Sequence, residues 1–318
     1  KSQKMPVKEH FQRYFWLYVF VLPVVAYYII FSYIPMGGIV IAFKRYNGVQ
    51  TIWESRWVGL RWFKDFLTSP SATRVIKNTL VLSFYSLATF PLPIIMALIF
   101  NEVQNARYKK ISQTIMYAPH FISLVVLISM LKLFFSPQYG FINVIIEALG
   151  GEKYSFLTET KAFPHMYVWS GVWQSLGWGA IVYIAALSSV DPGLHEAAKL
   201  DGASEYQIFF KIMLPLSTPA LGTIAISAFI GAWNAYYAPM MYFDYGKATT
   251  LSLFLQRLMN SIEMLKGQPG FNDAMLAQIP GTGLTMAVAC ITVLPMVFVF
   301  PWFQKYFVKG MAIGAVKM

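Results

Sequence analysis

The chain contains few charged residues and a single cysteine. Only 12% of its 318 residues are charged, whereas 57% are hydrophobic and 17% aromatic, and the mean hydropathy is +0.53. Soluble domains of this length do not have such a composition, so the chain is expected to lie in a membrane. The lone Cys290 excludes an intrachain disulfide and a metal cluster of the cysteine type.

Motifs of hydrolytic enzymes are also absent. The sequence has no GxxxxGK[ST] phosphate loop, no HExxH zinc motif and no plausible GxSxG nucleophile elbow. The apolar segments hold almost no ionisable side chains, since Lys132 and His165 each lie near a segment end. Ion-coupled carriers usually need acidic or histidine groups inside the membrane, which disfavours that class. We expect no enzymatic activity and no bound metal or cofactor in this chain.

Six apolar segments are long enough to cross a bilayer, which takes about 20 residues at 1.5 Å per residue. The sequence therefore predicts an all-α, polytopic membrane protein with a single transmembrane domain over residues 1–318. The first segment is longer than the core of a signal peptide and is interpreted as a retained span. The spans are placed near residues 15–43, 78–100, 114–136, 165–187, 219–243 and 284–304.

Basic residues decide the expected orientation only weakly. Lysine and arginine number 12 on each side of the six-span arrangement, so the positive-inside rule gives a tie over the whole chain. The rule works best close to span ends, and the short flanks of the first three spans favour the cytoplasmic side. Both termini are therefore expected in the cytoplasm. The flanking basic residues are Lys1, Lys4, Lys8, Arg13, Arg107, Lys109 and Lys110.

The polar segment 191–218, between the fourth and fifth spans, carries its own helix signals. Asp191 can cap a helix whose first position is Pro192, where the missing N–H of proline costs nothing. A short helix should run to about Leu200. Gly202 then tolerates the left-handed conformation that ends helices, so a turn is predicted there.

A second helix should follow that turn. Ser204 and Gln207 have the spacing of a capping box, which opens a helix by satisfying two backbone N–H groups. Pro215 is expected to end this helix, and Thr218 with Pro219 to start the next span. The segment is thus predicted to be a helix, a glycine turn and a helix, a form suited to docking.

This segment resembles the cytoplasmic loop signature of binding-protein-dependent ABC importer permeases: Glu-Ala-Ala, a glycine six positions after the glutamate, then Ile-x-Leu-Pro. In that family the loop is a coupling helix that sits in a cleft of the ATP-hydrolysing subunit. The resemblance implies the type I ABC importer permease fold, with ATP and magnesium bound by the partner ATPase. An ordinary amphipathic loop is the alternative. The residues implied in ATPase coupling are Glu196, Ala197, Ala198, Asp201, Gly202, Ile212, Leu214 and Pro215.

Aromatic and amide side chains occur within the fourth and fifth spans. An aromatic ring can stack on the C–H face of a sugar, and neutral amides can bind its hydroxyls without burying charge. For any one residue, helix packing or an interfacial aromatic belt is the more ordinary role, and the residues are pathway candidates as a set. The candidates for a substrate pathway are Trp173, Gln174, Trp178, Trp233, Asn234, Tyr236 and Tyr237.

Further strings resemble carbohydrate importers of the maltose type, and within them permeases for larger oligosaccharides such as alginate. They include YIPMGGIVIAFKRYN, YAPHFIS, IGAWNAYYAPMMY and YFVKGMAIGAVKM, and together they touch nearly the whole chain. The resemblance implies an oligosaccharide permease of the bacterial inner membrane that works by alternating access. It implies a second homologous permease subunit, two ATP-binding subunits and an extracytoplasmic binding protein as partners. Residues 244–283 should face the binding protein, and the tail after Tyr306 the ATPase.

Residues 44–77 are the most basic part of the chain, with seven lysines and arginines against Glu54 and Asp65. This excess could attract a polyanionic substrate or an acidic binding protein, or contact lipid head groups. Trp53, Trp57 and Trp62 lie among these charges and also suit an interfacial amphipathic helix. No nucleic acid partner is expected, because the charge lies beside membrane spans.

Three alternatives to the importer stay open from the sequence. They are an ion-coupled secondary sugar carrier, an ABC permease for a non-sugar solute, and a membrane scaffold that recruits a cytoplasmic partner.

Overall fold

The computed structural model describes residues 7–46, 48, 50–156, 159, 161–188, 200–242, 249–268 and 281–315. Within these ranges the regular elements are helices, and the only strand-like pairing is an isolated antiparallel bridge between Lys44 and Trp57. The predicted all-α class is confirmed for this part of the chain.

The helices differ in length from one turn to a long membrane-scale rod. Short π segments, Ile29–Tyr33 and Phe209–Met213, and 3-10 segments, Gly37–Phe43 and Ala118–Phe121, lie between α-helices. In chain order the described α-helices are α1 (Val7–Arg13), α2 (Phe15–Tyr28), α3 (Ile34–Met36), α4 (Arg61–Leu67), α5 (Pro70–Ala88), α6 (Pro91–Glu102), α7 (Ala106–Tyr117), α8 (Leu124–Phe134), α9 (Phe141–Ala148), α10 (Phe163–Ser188), α11 (Glu205–Ile208), α12 (Leu214–Asn234), α13 (Tyr237–Tyr242), α14 (Leu251–Lys266) and α15 (Gly281–Ala315).

Three helical stretches are long and apolar enough to cross a membrane: Phe15–Phe43, Pro70–Glu102 and Gly281–Pro301. A fourth counts if Ala106–Phe121 and Leu124–Phe134, which meet at 94°, form one broken span. The described residues thus provide three spans, or up to four, and the predicted number of six is not confirmed.

The residues form two compact units, one of Lys1–Phe66 with Ile262–Cys290 and the other of Leu67–Ser261 with Ile291–Met318. The predicted single transmembrane domain stays a prediction.

The first unit is built around the buried indole of Trp62. Trp62 packs with Ala42 and Ala287, and its Nε1 donates to the carbonyl of Lys44 at 2.9 Å. A Cβ added to Gly283 would lie 2.5 Å from this Nε1, so the close approach requires glycine there. The indole therefore joins the end of the first span to a residue near the start of the last helix.

The second unit has its closest packing between α6 and α10. Ala97 on α6 and Ala180 on α10 are both fully buried, beside Tyr183. Small residues let helix backbones approach closely in a membrane, where packing replaces the hydrophobic effect as the driving force. A second cluster joins α5, α8, α10 and α13 through Leu82, Ile128, Phe163, Val168 and Tyr242.

Two predicted spans are interrupted, which corrects their continuous placement. The span predicted at 114–136 breaks after a 3-10 turn, and α8 restarts with Ser123 accepting the N–H of Val126 at 3.3 Å. The span predicted at 219–243 stops at Asn234, and α13 follows after two residues. Both breaks are built into the second unit.

Candidate functional site

The turn at Gly202 has the left-handed conformation that the sequence predicts. Its φ is +80°, and no atom lies within 4 Å of where a Cβ would be. Glycine is therefore favoured by backbone conformation alone and not by crowding. The neighbouring Leu200 is 88% exposed, so a large apolar side chain stands beside this turn.

The predicted capping box is confirmed. The backbone N–H of Ser204 donates to Oε1 of Gln207 at 2.9 Å, and the N–H of Gln207 donates to Oγ of Ser204 at 3.4 Å. These reciprocal bonds satisfy backbone donors that the first helical turn leaves free. Residues directly after the glycine turn are thereby held as a helix start.

The predicted break at Pro215 and restart at Thr218 are wrong. Helix α11, the π segment and α12 follow one another without a gap from Glu205 to Asn234. Pro215 lies inside this continuous helix, directly after the π segment, where the irregular hydrogen-bond pattern accommodates its missing N–H, and Oγ1 of Thr218 donates back to the carbonyl of Leu214 at 3.0 Å. The result is a helical rod of about 45 Å at 1.5 Å per residue.

The other proposed coupling residues are only partly visible. Asp201 and Pro215 are exposed, and Leu214 is half-buried. Residues 189–199, which include Asp191, Pro192, Glu196, Ala197 and Ala198, lie outside the described residues, as does the side chain of Ile212.

A cavity of about 300 Å³ lies among α5, α8, α10 and α13. Half of its described lining residues carry a hydroxyl or amide group, the other half are apolar or glycine, and no charged side chain occurs among them. Tyr242 and Ser170 share a hydrogen bond that fixes the phenol at this wall. The lining residues are Ser86, Thr89, Leu124, Leu127, Tyr167, Val168, Gly171, Val172, Gln174, Ser175, Ala238 and Tyr242.

Gln174 connects this cavity to the break between α7 and α8. Its Nε2 donates to the carbonyl of Ile122 at 2.7 Å. The break leaves that carbonyl without a helical partner, and an unpaired carbonyl is costly where water is scarce. Gln174 is therefore both part of the cavity wall and the group that satisfies the break.

Trp178 holds the same broken segment from a position one turn further along α10. Its ring stacks on His120 with centroids 4.4 Å apart and planes 2° apart, and it meets Phe121 edge-on. A Cβ on Gly177 would meet the backbone carbonyl of Met116, so the helices touch at this glycine. Trp178 thus acts in packing, although almost half of it is exposed.

The fifth-span candidates are not gathered at the cavity. Trp233 is buried, and its Nε1 donates to the carbonyl of Thr292 at 3.0 Å. Asn234 lines a different groove of about 500 Å³, whose other described lining residues are apolar. Tyr236 and Tyr237, at the break before α13, are each more than two-fifths exposed, as is Trp173 on α10. These three candidates have rings exposed enough to stack on a substrate.

The end of α12 is held by groups from the segment that starts α14. Ser252 Oγ donates to the carbonyl of Trp233 at 3.1 Å, and Thr250 Oγ1 donates to that of Ala235 at 3.2 Å. These bonds satisfy carbonyls that the helix end leaves free.

A polar network that the sequence reasoning missed lies on α5 and α10. Trp169 Nε1 donates to the Tyr85 hydroxyl at 2.8 Å, and that hydroxyl lies 2.8 Å from Nδ1 of His165. With the indole N–H as donor, the Tyr85 hydroxyl can donate its own hydrogen to Nδ1. This arrangement leaves Nε2–H of His165 as a further donor.

The helical spacing of the residues on α10 was the one sequence signal that pointed to this network. His165, Trp169 and Trp173 follow one another at four-residue intervals and so share a face of α10. Their partner Tyr85 lies 80 residues from His165, which no local pattern reveals. No cluster of three or more His, Cys, Asp or Glu side chains suited to a metal occurs in the part of the chain that the structure describes.

Comparison with known proteins gives a consistent result. The family described as "Binding-protein-dependent transport system inner membrane component" matches residues 89–313. Protein LplB of Bacillus subtilis (strain 168) is 43% identical over 201 residues, which are 63% of this chain and 63% of LplB, slightly under two thirds of each. The polygalacturonan/rhamnogalacturonan transport system permease protein YteP of the same strain is 42% identical over 216 residues, 68% of this chain and 67% of YteP.

A solved structure is similar over almost the whole chain. It is a bacterial ABC transporter involved in the import of the acidic polysaccharide alginate, with a TM-score of 0.70 and 30% sequence identity. The match covers 94% of this chain and 98% of that chain.

Proposed function

This chain belongs to the family of inner membrane components of binding-protein-dependent transport systems, and from this premise we propose that it is a permease subunit of an ATP-driven oligosaccharide importer. It is a transport subunit of the ABC importer type, with several membrane-spanning helices. The hydrolysis of ATP, with its magnesium, is assigned to a partner subunit.

The observation that carries the coupling proposal is the helical rod from Glu205 to Asn234. One end follows the Gly202 turn, where Leu200 is exposed, and the other end reaches the buried Trp233. The backbone is helical throughout this stretch, so a displacement of the turn is passed along it toward the far end, with the π segment Phe209–Met213 as the point where the helix bends most easily. We assign Glu196 to Gly202 to the docking contact with the ATPase.

The chemistry of the cavity supports a sugar as substrate. Serine, threonine, glutamine and tyrosine groups in its wall can bind hydroxyls. Trp169 and Trp173 do not line the cavity, but they lie on the same helix α10 and their exposed rings can stack on pyranose faces. The name of YteP refers to polygalacturonan and rhamnogalacturonan, and the alginate transporter imports an acidic polysaccharide. An acidic oligosaccharide is therefore the substrate class that we propose.

The proposed assembly contains a second, homologous permease subunit, two ATP-binding subunits and an extracytoplasmic binding protein. In this arrangement residues 1–318 are one transmembrane domain, and both termini lie in the cytoplasm. Segments 44–77 and 244–283 then lie on the outer side. The alternative of an ABC importer for a non-sugar solute has the same assembly and differs from this proposal only in its substrate.

Uptake by the reconstituted complex tests this function. Proteoliposomes containing the chain with its co-purified subunits and binding protein receive labelled oligogalacturonate or a neutral oligosaccharide of equal length. We expect uptake that requires ATP and prefers the acidic sugar. Trp169→Ala should lower uptake, whereas Trp16→Ala, a change at another exposed tryptophan on the first apolar helix, should not.

Three other outcomes identify the alternatives. Uptake that stops when ionophores dissipate the ion gradients, with ATP still present, would indicate the secondary carrier. Binding of the subunits without any uptake would indicate the scaffold. Transport of a non-sugar solute, with neither saccharide taken up, would support an ABC importer but reject a sugar as its substrate.

A further inference from the structure

Residues that follow the first apolar helix fold back onto its end. The last residue of Phe15–Phe43 accepts two backbone hydrogen bonds through its carbonyl, from Val58 at 2.8 Å and from Gly59 at 3.1 Å. The ring of Trp57 stacks on that of Phe43, with centroids 5.7 Å apart and planes 9° apart. The returning segment is thus held at the level where a 29-residue apolar span ends.

The backbones of two arginines meet in this returning segment. The N–H of Arg45 donates to the carbonyl of Arg56 at 2.8 Å, one residue beyond the bridge that joins Lys44 to Trp57. Directly opposite residues of an antiparallel pair share a face, with Cβ atoms about 4.5–5.5 Å apart, and like charges in such a pair destabilise it. Both side chains are exposed. We call these two residues the arginine pair.

Neither arginine is neutralised by a carboxylate of the described residues, since no ion pair there includes Arg45 or Arg56. The nearby Glu54 carboxylate instead accepts the backbone N–H of Thr51 at 3.3 Å. The positive charge of the arginine pair therefore has no counterion within this part of the chain.

The other cations of residues 44–66 already have partners or another interaction. Lys44 is buried, and its Nζ donates to the carbonyls of Ile52 at 2.8 Å and Trp53 at 3.2 Å. Arg61 approaches Asp65 at 3.7 Å. The arginine pair is what this region leaves available to an external anion.

Large apolar rings stand beside the charge. Trp53 is 83% exposed and Trp57 is 61% exposed, so the surface next to the arginine pair offers indole faces to its surroundings. This corrects the expected interfacial amphipathic helix, because residues 50–60 form turns and only Arg61–Leu67 is helical, with Trp62 buried. Tryptophan at the end of a span is typical of the boundary between head groups and acyl chains.

We propose that the arginine pair binds the phosphate of an anionic phospholipid, with Trp53 and Trp57 against its glycerol and upper acyl region. Guanidinium groups match phosphate oxygens with paired hydrogen bonds, and two of them relieve their mutual repulsion by sharing one anion. A phospholipid supplies both parts that this surface fits, a phosphate and hydrocarbon. A saccharide polyanion or an acidic protein surface fits the charge but has no acyl chain for the two indoles.

Lipid retention by the intact complex tests this site. The complex is placed in nanodiscs of phosphatidylcholine mixed with phosphatidylglycerol, and the lipids that stay bound after mild detergent exchange are counted by native mass spectrometry. We expect selective retention of phosphatidylglycerol. A basic residue in contact with an anionic head group contributes about a fivefold gain in binding, so loss of both contacts in R45Q/R56Q should weaken retention by about 25-fold.

Two further variants keep the result interpretable. R74Q/K77Q removes the same charge from exposed positions on α5 and should retain phosphatidylglycerol as the unchanged chain does. R45K/R56K preserves the charge but loses the paired hydrogen bonds of the guanidinium groups, so it should restore only part of the binding, and that partial recovery also shows that the segment still folds.

Other results would overturn the proposal. Equal losses in R45Q/R56Q and R74Q/K77Q would mean diffuse charge and no site, and unchanged retention in R45Q/R56Q would mean that lipid binds elsewhere. Arginine-dependent binding of oligogalacturonate, or of the binding protein, without selective lipid retention would assign the pair to those partners instead. Failure of sugar uptake in the unchanged complex would refute the proposed function but leave this test valid.

Discussion

Replacing Gly202 tests whether the left-handed backbone conformation of the proposed coupling turn is needed for transport. Its φ of +80° is a region that an L-residue enters at a cost of roughly 1–2 kcal/mol, and a Cβ there would meet no atom within 4 Å. The strain of Gly202→Ala is therefore backbone strain with no steric part. Such a cost lowers the ratio of native to non-native turn by a factor of about 5–30. Gly202→Pro fixes φ near −65°, so this turn cannot form at all.

The matched control is Gly231→Ala, further along the same rod. Gly231 also has no atom within 4 Å of a Cβ, but it lies inside α12 and has no positive φ. Alanine there should be neutral or should stabilise the helix by up to about 1 kcal/mol. The two alanine variants thus add the same methyl group and differ in the backbone conformation that receives it.

The assay compares ATP hydrolysis and sugar uptake of the reconstituted complex, with the amount of chain in the membrane measured by immunoblot. We expect Gly202→Ala to lower the sugar imported per ATP hydrolysed, by at most about 5–30-fold, and Gly202→Pro to abolish import at normal membrane levels. Normal transport by Gly202→Pro would refute the reasoning. Absence of that variant from the membrane would also refute it, since Gly202 would then serve folding and not coupling.

Two further predictions concern the contacts between α10 and the break that separates α7 from α8. Gly177→Ala should lower the free energy of unfolding of the detergent-solubilised chain by about 1–3 kcal/mol in a thermal melt, because its Cβ meets the Met116 backbone. Gly171→Ala, with no atom within 4 Å of the added Cβ, should change it little. Equal effects of the two variants would contradict the contact. Gln174→Leu should lower the free energy of unfolding by about 1–3 kcal/mol, because it leaves the Ile122 carbonyl unpaired. Ser175→Ala loses only a hydrogen bond within its own helix and should be nearly neutral in the same melt. A Gln174→Leu variant of unchanged stability would show that another group satisfies the Ile122 carbonyl.

The local signals of the loop were readable from the sequence because they act within a few residues. The left-handed turn at Gly202 and the capping box of Ser204 and Gln207 depend on φ and on hydrogen bonds to near neighbours. The restart at Thr218 was misread for a related reason, since proline marks a helix start only when the preceding turn is not already helical. Here the π segment before Leu214 carries the helix through Pro215.

The candidate pathway was only partly predictable. Aromatic and amide residues of the fourth and fifth spans have the right chemistry, but their roles depend on what faces them. Trp233 is used in packing and Gln174 satisfies a backbone carbonyl, whereas Trp169 joins a network through Tyr85. Composition alone cannot separate a ring that packs from a ring that lines a cavity.

The sequence by itself determined the membrane class, the helical nature of the chain, the family and the glycine turn of the loop, because hydropathy, capping and backbone conformation are local properties. Only the tertiary structure decided where the helices break, since a backbone carbonyl in a membrane can lose its helical partner only where another group donates a hydrogen bond to it. Gln174 provides that group for Ile122, and Ser252 for Trp233. These partners lie 52 and 19 residues away along the chain, and folding alone brings them together.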